Sequence, residues 1–281
     1  MSEESAQWQV LKWAWDNWDK VQQRLTNLYR WFRGSKRKPG ILILGAGGTG
    51  KTTLAKMLAG QYDFHLDRFR DYAESVEIER YTLGDDENVE IVVPPGQKHR
   101  REATWGDLQT DIAAGAFRGI IIVSCYGFHS LGDLSYKRHE LYHGKKSSFL
   151  TNYLRDRRAE ELAIMERLSA FVEACRSKIW LLTVVTKQDL WWGNRATVEK
   201  HHRLAPTQAF GRQIARLTRT KSAARFRHEH VACSLAINNF VTGKNELLKV
   251  PDKGYDQQRQ LTSIKRLFAV VDGLMHWEID S

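Results

Sequence analysis

Ile41 to Leu58, "ILILGAGGTGKTTLAKML", runs a short apolar stretch straight into glycines, a lysine and two threonines. Ile41 to Leu44 reads as a fully buried strand and Lys51 to Ala59 as the helix that follows it. Between them Gly45-Ala46-Gly47-Gly48-Thr49-Gly50-Lys51-Thr52 fits the phosphate-loop spacing of glycine, four residues, then glycine-lysine-threonine. Glycines let the backbone wrap closely, so its N–H groups point at phosphate oxygens. The helix presents its positive N-terminal end to the same anion. Lys51 is expected to reach the β- and γ-phosphates and Thr52 to ligate magnesium, with Thr53 beside it on the first turn.

Outward from this loop the chain alternates strand and helix. Ser75 to Thr82 and Val89 to Val93 flank a "GDDEN" turn and read as a hairpin. A short helix is expected over Trp105 to Ala116, a buried strand over Gly119 to Cys125, and a helix from about Leu150 to Cys175. Ile179 to Thr186 is another buried strand. A helical region around 207 to 218, a short strand near His230 to Ser234 and a last helix striped by Leu261, Ile264, Phe268, Val271 and Met275 complete the order. Near-continuous apolar strands separated by helices predict an α/β fold, its mostly parallel sheet covered on both faces. Residues 126 to 148 show no clear period.

Thr186-Lys187-Gln188-Asp189 comes directly off a buried strand, where open α/β sheets bind their ligands. An aspartate there can accept hydrogen bonds from guanine N1–H and its 2-amino group, and adenine offers neither donor at that edge. The aliphatic stem of Lys187 can lie over the base.

With these two motifs the chain resembles the Ras-like small GTPases, P-loop proteins that include the Ras, Arf, Rag and signal recognition particle receptor β branches. The resemblance covers roughly residues 40 to 275. It implies a six-stranded sheet with five parallel strands and one antiparallel, GTP or GDP with Mg2+ as ligands, and a molecular switch with slow or partner-stimulated hydrolysis. Gly45, Gly47, Gly48, Thr49, Gly50, Lys51, Thr52 and Thr53 then hold the phosphates, and Thr186, Lys187 and Asp189 read the base. Ser234 and Leu235, after Cys233, sit where a weaker base-contact loop is expected.

Val93-Pro94-Pro95-Gly96-Gln97 matches the stretch where the family has aspartate, two residues, then glycine-glutamine. The aspartate that holds magnesium through water is a valine here. Gly96 keeps an N–H for the γ-phosphate, and Gln97 stands at the position that orients the attacking water. The loop before the hairpin, "QYDFHLDRFRDYAES", contains no threonine, so Ser75 is its one non-phenolic hydroxyl for magnesium. Arg68, Arg70, Arg100 and Arg101 are internal candidates for charge neutralisation. A non-hydrolysing nucleotide-dependent scaffold that recruits protein partners through residues 1 to 32 and the 126 to 150 insert is the alternative reading. A remote one is zinc hydrolysis: His139-Glu140-Leu141-Tyr142-His143 would form a zinc-peptidase site on a helix, with Glu160 or Glu161 as a third ligand.

Residues 1–34 form an expected tryptophan-rich amphipathic helix, holding five of the ten tryptophans, and 35–40 a basic linker. Residues 41–281 are then the GTPase domain, with an insert at about 126–150. The N-terminal helix can pack on protein, lie on an anionic membrane, or self-associate. Ser2 stands where myristoylation requires glycine. At 281 residues, 42% apolar and 27% charged, the chain reads as globular and not disordered. The acidic start (Glu3, Glu4) argues against a secretory signal, and three scattered cysteines suit a reducing cytosol, so a cytoplasmic protein is expected, peripheral at a membrane if the helix binds lipid. The +10 formal charge gathers at Lys36 to Lys38, Lys98 to Arg101 and Arg212 to Arg227, without any sequence-specific nucleic-acid motif.

Overall fold

The computed structural model describes residues 40–61, 77–82, 89–132, 135–203 and 207–279. The tryptophan-rich helix, all of the basic linker but Gly40, and Ser75 with Arg68 and Arg70 lie outside the described residues.

In chain order the strands are β1 (Gly40–Gly45), β2 (Glu79–Thr82), β3 (Glu90–Val93), β4 (Phe117–Ser124), β5 (Ile179–Val185), β6 (Phe226–Ala232), β7 (Phe240–Val241) and β8 (Leu247–Lys249). The helices are α1 (Lys51–Leu58), α2 (Lys98–Ala113), α3 (Lys146–Ala174), α4 (Gln188–Trp191), α5 (Arg195–His202), α6 (Ala209–Thr220) and α7 (Gln257–Ile279). Among the described residues six strands form one sheet in the order β2-β3-β1-β4-β5-β6. In this sheet β2 runs antiparallel to β3 and every other pairing is parallel. This is the sheet expected from the resemblance to P-loop GTPases, down to the single antiparallel edge.

Side chains alternate across a strand, so a wholly apolar strand feeds two cores. Ile41 and Ile43 of β1 join the layer formed by Leu54 and Leu58 of α1 with Ile264, Leu267 and Val271 of α7. Leu42 and Leu44 face the opposite layer, where Trp105 of α2, Met165 and Leu168 of α3 and Ile214 of α6 pack. A third cluster lies beyond the carboxyl ends of β4 and β5: Cys125, Phe128, Phe149, Trp191, Phe240 and Leu248 belong to it. It turns the segment expected as an insert into packed structure. All three cysteines are free and buried. Among the described residues no helix is long and apolar enough to cross a membrane.

Several boundaries differ from the sequence reading. α2 begins at Lys98 and α3 at Lys146, because polar first turns carry no apolar period. The short helices α4 and α5 and the β7–β8 hairpin lie where no pattern pointed to them. The zinc reading is overturned. A single-turn 3-10 helix ends at Arg138, and His139 to His143 continues as turn and loop, so the two imidazoles do not share a helical face. His139 Nδ1 accepts from Leu141 N–H at 3.2 Å, its ring packs on Phe149 and Tyr153, and His143 is exposed.

Gly119 opposes Trp180 across the β4–β5 ladder, and a Cβ there would fall inside the indole ring. Trp180 is fully buried and has nowhere to retreat. Gly119→Ala is expected to lower stability by about 1–3 kcal/mol through overpacking, read as a shifted urea midpoint with an unchanged slope.

Candidate nucleotide site

The loop from Gly45 to Lys51 bends back over the end of β1. Gly48 has φ 71° and Gly50 φ 93°, and a Cβ on Gly48 would press on the backbone of Ser130. Thr49 Oγ1 donates to Ala46 O at 3.0 Å, and Lys51 Nζ donates to the same carbonyl at 2.9 Å. No side chain caps the N-terminus of α1, the end at which phosphate loops receive an anion. Lys51 is buried; that burial, with the neighbouring Arg101 charge, lowers its pKa to about 8.

A second loop leaves β5 and meets the first. Thr186 Oγ1 lies 2.7 Å from Thr49 O and 3.2 Å from Ser124 O, both acceptors for its one proton. Lys187 adopts φ 54° and donates from Nζ to Gly48 O at 2.9 Å, Phe128 O at 2.6 Å and Ser130 Oγ at 3.1 Å. Asp189 is buried. Its Oδ1 accepts from Ser234 Oγ at 2.5 Å and its Oδ2 from Asn238 N–H at 3.3 Å. Burial raises the Asp189 pKa against the pull of those donors. Leu235 lies beside Gly50, so the loop after β6 also converges here.

On the other flank, Gly96 lies directly against the phosphate loop: a Cβ on it would collide with the Lys51 ammonium and come within 2.7 Å of Gly47 N. Gln97 follows as the extended residue that starts α2. Arg101, 6% exposed, donates from Nη1 to Gly96 O at 2.8 Å and pairs with Glu160 at 3.1 Å. This geometry singles out Arg101 from Arg100, which the sequence could not. Val93 is fully buried in the α1 layer. Thr52 Oγ1 donates to Glu79 Oε2 at 2.9 Å, a carboxylate the sequence reading did not single out.

Glu161, also unforeseen in this role, organises the floor behind both loops. Its Oε1 accepts from Cys125 N–H at 2.8 Å, Gly127 N–H at 3.2 Å and His129 Nε2 at 3.0 Å, and its Oε2 accepts from Ser124 Oγ at 2.8 Å. Burial alone would raise the Glu161 pKa; the His129 hydrogen bond and charge, with the Cys125 N–H, overcome it and bring it to about 2. Cys125, His129 and Glu161 set potential metal-binding atoms within 4.8 Å of one another. The Cys125 thiol is held well above its ordinary pKa, first by burial and then by the Glu161 charge, and Oε1 is already taken by three N–H donors. That chemistry is a hydrogen-bonded clamp.

No protein-family model matches the chain, and no curated protein does. Solved structures similar to it include an ADP-ribosylation-factor-like GTP-binding protein, the small COPII coat GTPase SAR1 from Encephalitozoon cuniculi in complex with GDP. It is 12% identical, covering 96% of this chain and 92% of its own, with TM-score 0.43. Toc33 from Arabidopsis thaliana in complex with GDP and Mg2+ is 10% identical, covering 93% of both chains, with TM-score 0.47. The signal recognition particle receptor SRb-GDP-Mg from Chaetomium thermophilum is 12% identical, covering 84% of this chain and 97% of its own, with TM-score 0.40.

Glu161→Gln removes the charge that holds the end of β4, and we expect a loss of about 3 kcal/mol in denaturant unfolding. Folding lowers this carboxyl's pKa from 4.5 to about 2. Its contribution is therefore complete above pH 4.5 and disappears as pH falls through about 2. Stability measured across that window should fall less steeply in Glu161→Gln than in the wild type.

Proposed function

We propose that this chain is a Ras-like P-loop protein that binds GTP and GDP with magnesium and acts as a molecular switch, hydrolysing GTP slowly or on stimulation by a partner. The observation that carries the reading is the covalently distant but physically direct coupling of its two motifs. Lys187 Nζ donates to Gly48 O, and Thr186 Oγ1 is 2.7 Å from Thr49 O, so the two motif loops are joined directly by hydrogen bonds.

In this reading Asp189 accepts from guanine N1–H and the 2-amino group, with Ser234 Oγ holding its carboxylate in place. The Lys187 stem covers the base, and the backbone near Ser234 and Leu235 borders it. Lys51 and the N–H groups from Gly47 to Thr53 bind the phosphates. Gly96, packed on the phosphate loop and held through its carbonyl by Arg101, offers its N–H to the terminal phosphate. Gln97, one residue further, orients water. Thr52 presents a hydroxyl that already meets a carboxylate, a hard-oxygen pair that suits magnesium. When bound, that ion neutralises charge shared by the β- and γ-phosphates. Cytoplasmic residence, with a protein contact made through residues 1–34 or the 126–150 segment, or a contact of residues 1–34 with an anionic membrane surface, is part of the same proposal.

The buried Val93 favours a second reading, a scaffold that keeps its nucleotide intact. Turnover separates them. Single-turnover assays should detect GDP formation in the wild type and lose it in Gln97→Leu with binding retained; GTP recovered unchanged from the wild type would establish the scaffold.

Two binding predictions test the site itself. Lys51→Ala should abolish or severely weaken triphosphate binding without unfolding, and an unchanged affinity would remove the loop from consideration. Asp189→Asn should weaken GTP at least about tenfold, or about 1.4 kcal/mol, because one acceptor for two donors is lost. Equal ATP and GTP affinity in the wild type would sink the guanine assignment.

A further inference from the structure

We infer that Glu79, on the edge strand β2, supplies to magnesium the carboxylate that Val93 cannot supply from β3. The inference rests on the guanine-nucleotide reading above and deepens it. Glu79 and Val93 are direct partners in the antiparallel β2–β3 ladder. Residues directly opposite one another point to the same face, with Cβ atoms ~5 Å apart. That face is the one α1 covers, since Val93 packs with Leu54 there. A carboxylate lost from the end of β3 is thus restored one strand over. Glutamate is longer than aspartate by one methylene, which offsets part of the added distance.

The side chain does reach. Glu79 Oε2 accepts from Thr52 Oγ1 at 2.9 Å, the hydroxyl that follows Lys51 in the phosphate loop. Tyr81, two residues along and so on the same face, donates its hydroxyl to the same oxygen at 2.9 Å. Glu79 is close enough to Lys51 for its charge to favour the ammonium form. A carboxylate and an aliphatic hydroxyl beside a phosphate loop make a hard-oxygen set, the type magnesium binds while keeping several of its waters. Burying a carboxylate at position 93 would cost several kcal/mol, because that site is closed by apolar side chains. Glu79, half-buried at the sheet edge, escapes that cost.

The test is the magnesium dependence of nucleotide affinity, measured on the full chain with a fluorescent GDP analogue titrated in EDTA and at increasing MgCl2. Glu79→Gln should raise the magnesium concentration needed for tight binding about tenfold to a hundredfold. Glu79→Asp, with its charge kept but its reach shortened, should fall between the two. An unchanged magnesium requirement in Glu79→Gln overturns the inference. So does a lowered one, which would mean that the carboxylate competes with the ion for Thr52. If Glu79→Gln does not fold, Glu79→Asp decides alone: a requirement equal to that of the wild type refutes the assignment. Wild type that binds GDP equally well in EDTA and magnesium sinks this inference only. Wild type that binds no guanine nucleotide sinks the functional reading beneath it.

Discussion

The corner where the two loops meet depends on one half-buried ammonium, that of Lys187. A charged amine removed from water costs several kcal/mol unless oxygens replace its hydration shell, and Lys187 Nζ finds three, on Gly48, Phe128 and Ser130. Burial lowers its pKa, while the charges on Asp189 and Glu161 oppose the loss of its proton. To reach those acceptors the residue takes φ 54°, a left-handed conformation that costs a non-glycine residue about 1–3 kcal/mol. The same turn starts α4 and sends Asp189 toward Ser234. The positions of the phosphate loop, the loop after β5 and the segment after β4 are therefore solved together.

Glu161 balances this arrangement from below. It sits on α3, yet it holds the first backbone amides after β4 and the His129 ring. From there the segment 126–132 is carried across to Lys187. Farther along, Gly243 N–H donates to Gly132 O at 2.9 Å and Glu246 accepts from Ser135 Oγ at 2.8 Å, joining the β7–β8 turn to the same body. Asp252 N–H closes the circuit on Asp189 O at 2.8 Å.

What could be read in advance follows from which interactions are local. The strand, glycine-rich turn and helix at 41–58 are set by neighbours in sequence, and so were the buried strands, whose apolar runs have no other use. Thr186 to Asp189 was legible because a polar string directly follows such a run. The carboxylates were not. Glu79 acts through a cross-strand register that no local pattern encodes, and Arg101 through a helix partner, Glu160, far along the chain. Glu161 did leave a trace: it falls on the stripe of Ile164, Met165, Leu168 and Val172, an acid on a buried helical face. The string from His139 to His143 misled for the opposite reason, since its spacing has meaning only on a helix and Gly144, at φ 85°, belongs to a loop.

The Glu161 clamp gives the segment after β4 an unusual dynamic standing. Loops lacking regular structure ordinarily exchange their amide hydrogens on the fast timescale of local fluctuations. Here the Cys125 and Gly127 amides end on a buried carboxylate, and the Ser130 amide ends on Gly48 O. Each of the three must break that bond before it can exchange. Their exchange is therefore expected to be slower than that of ordinary loop amides, although the segment follows the last residue of the strand.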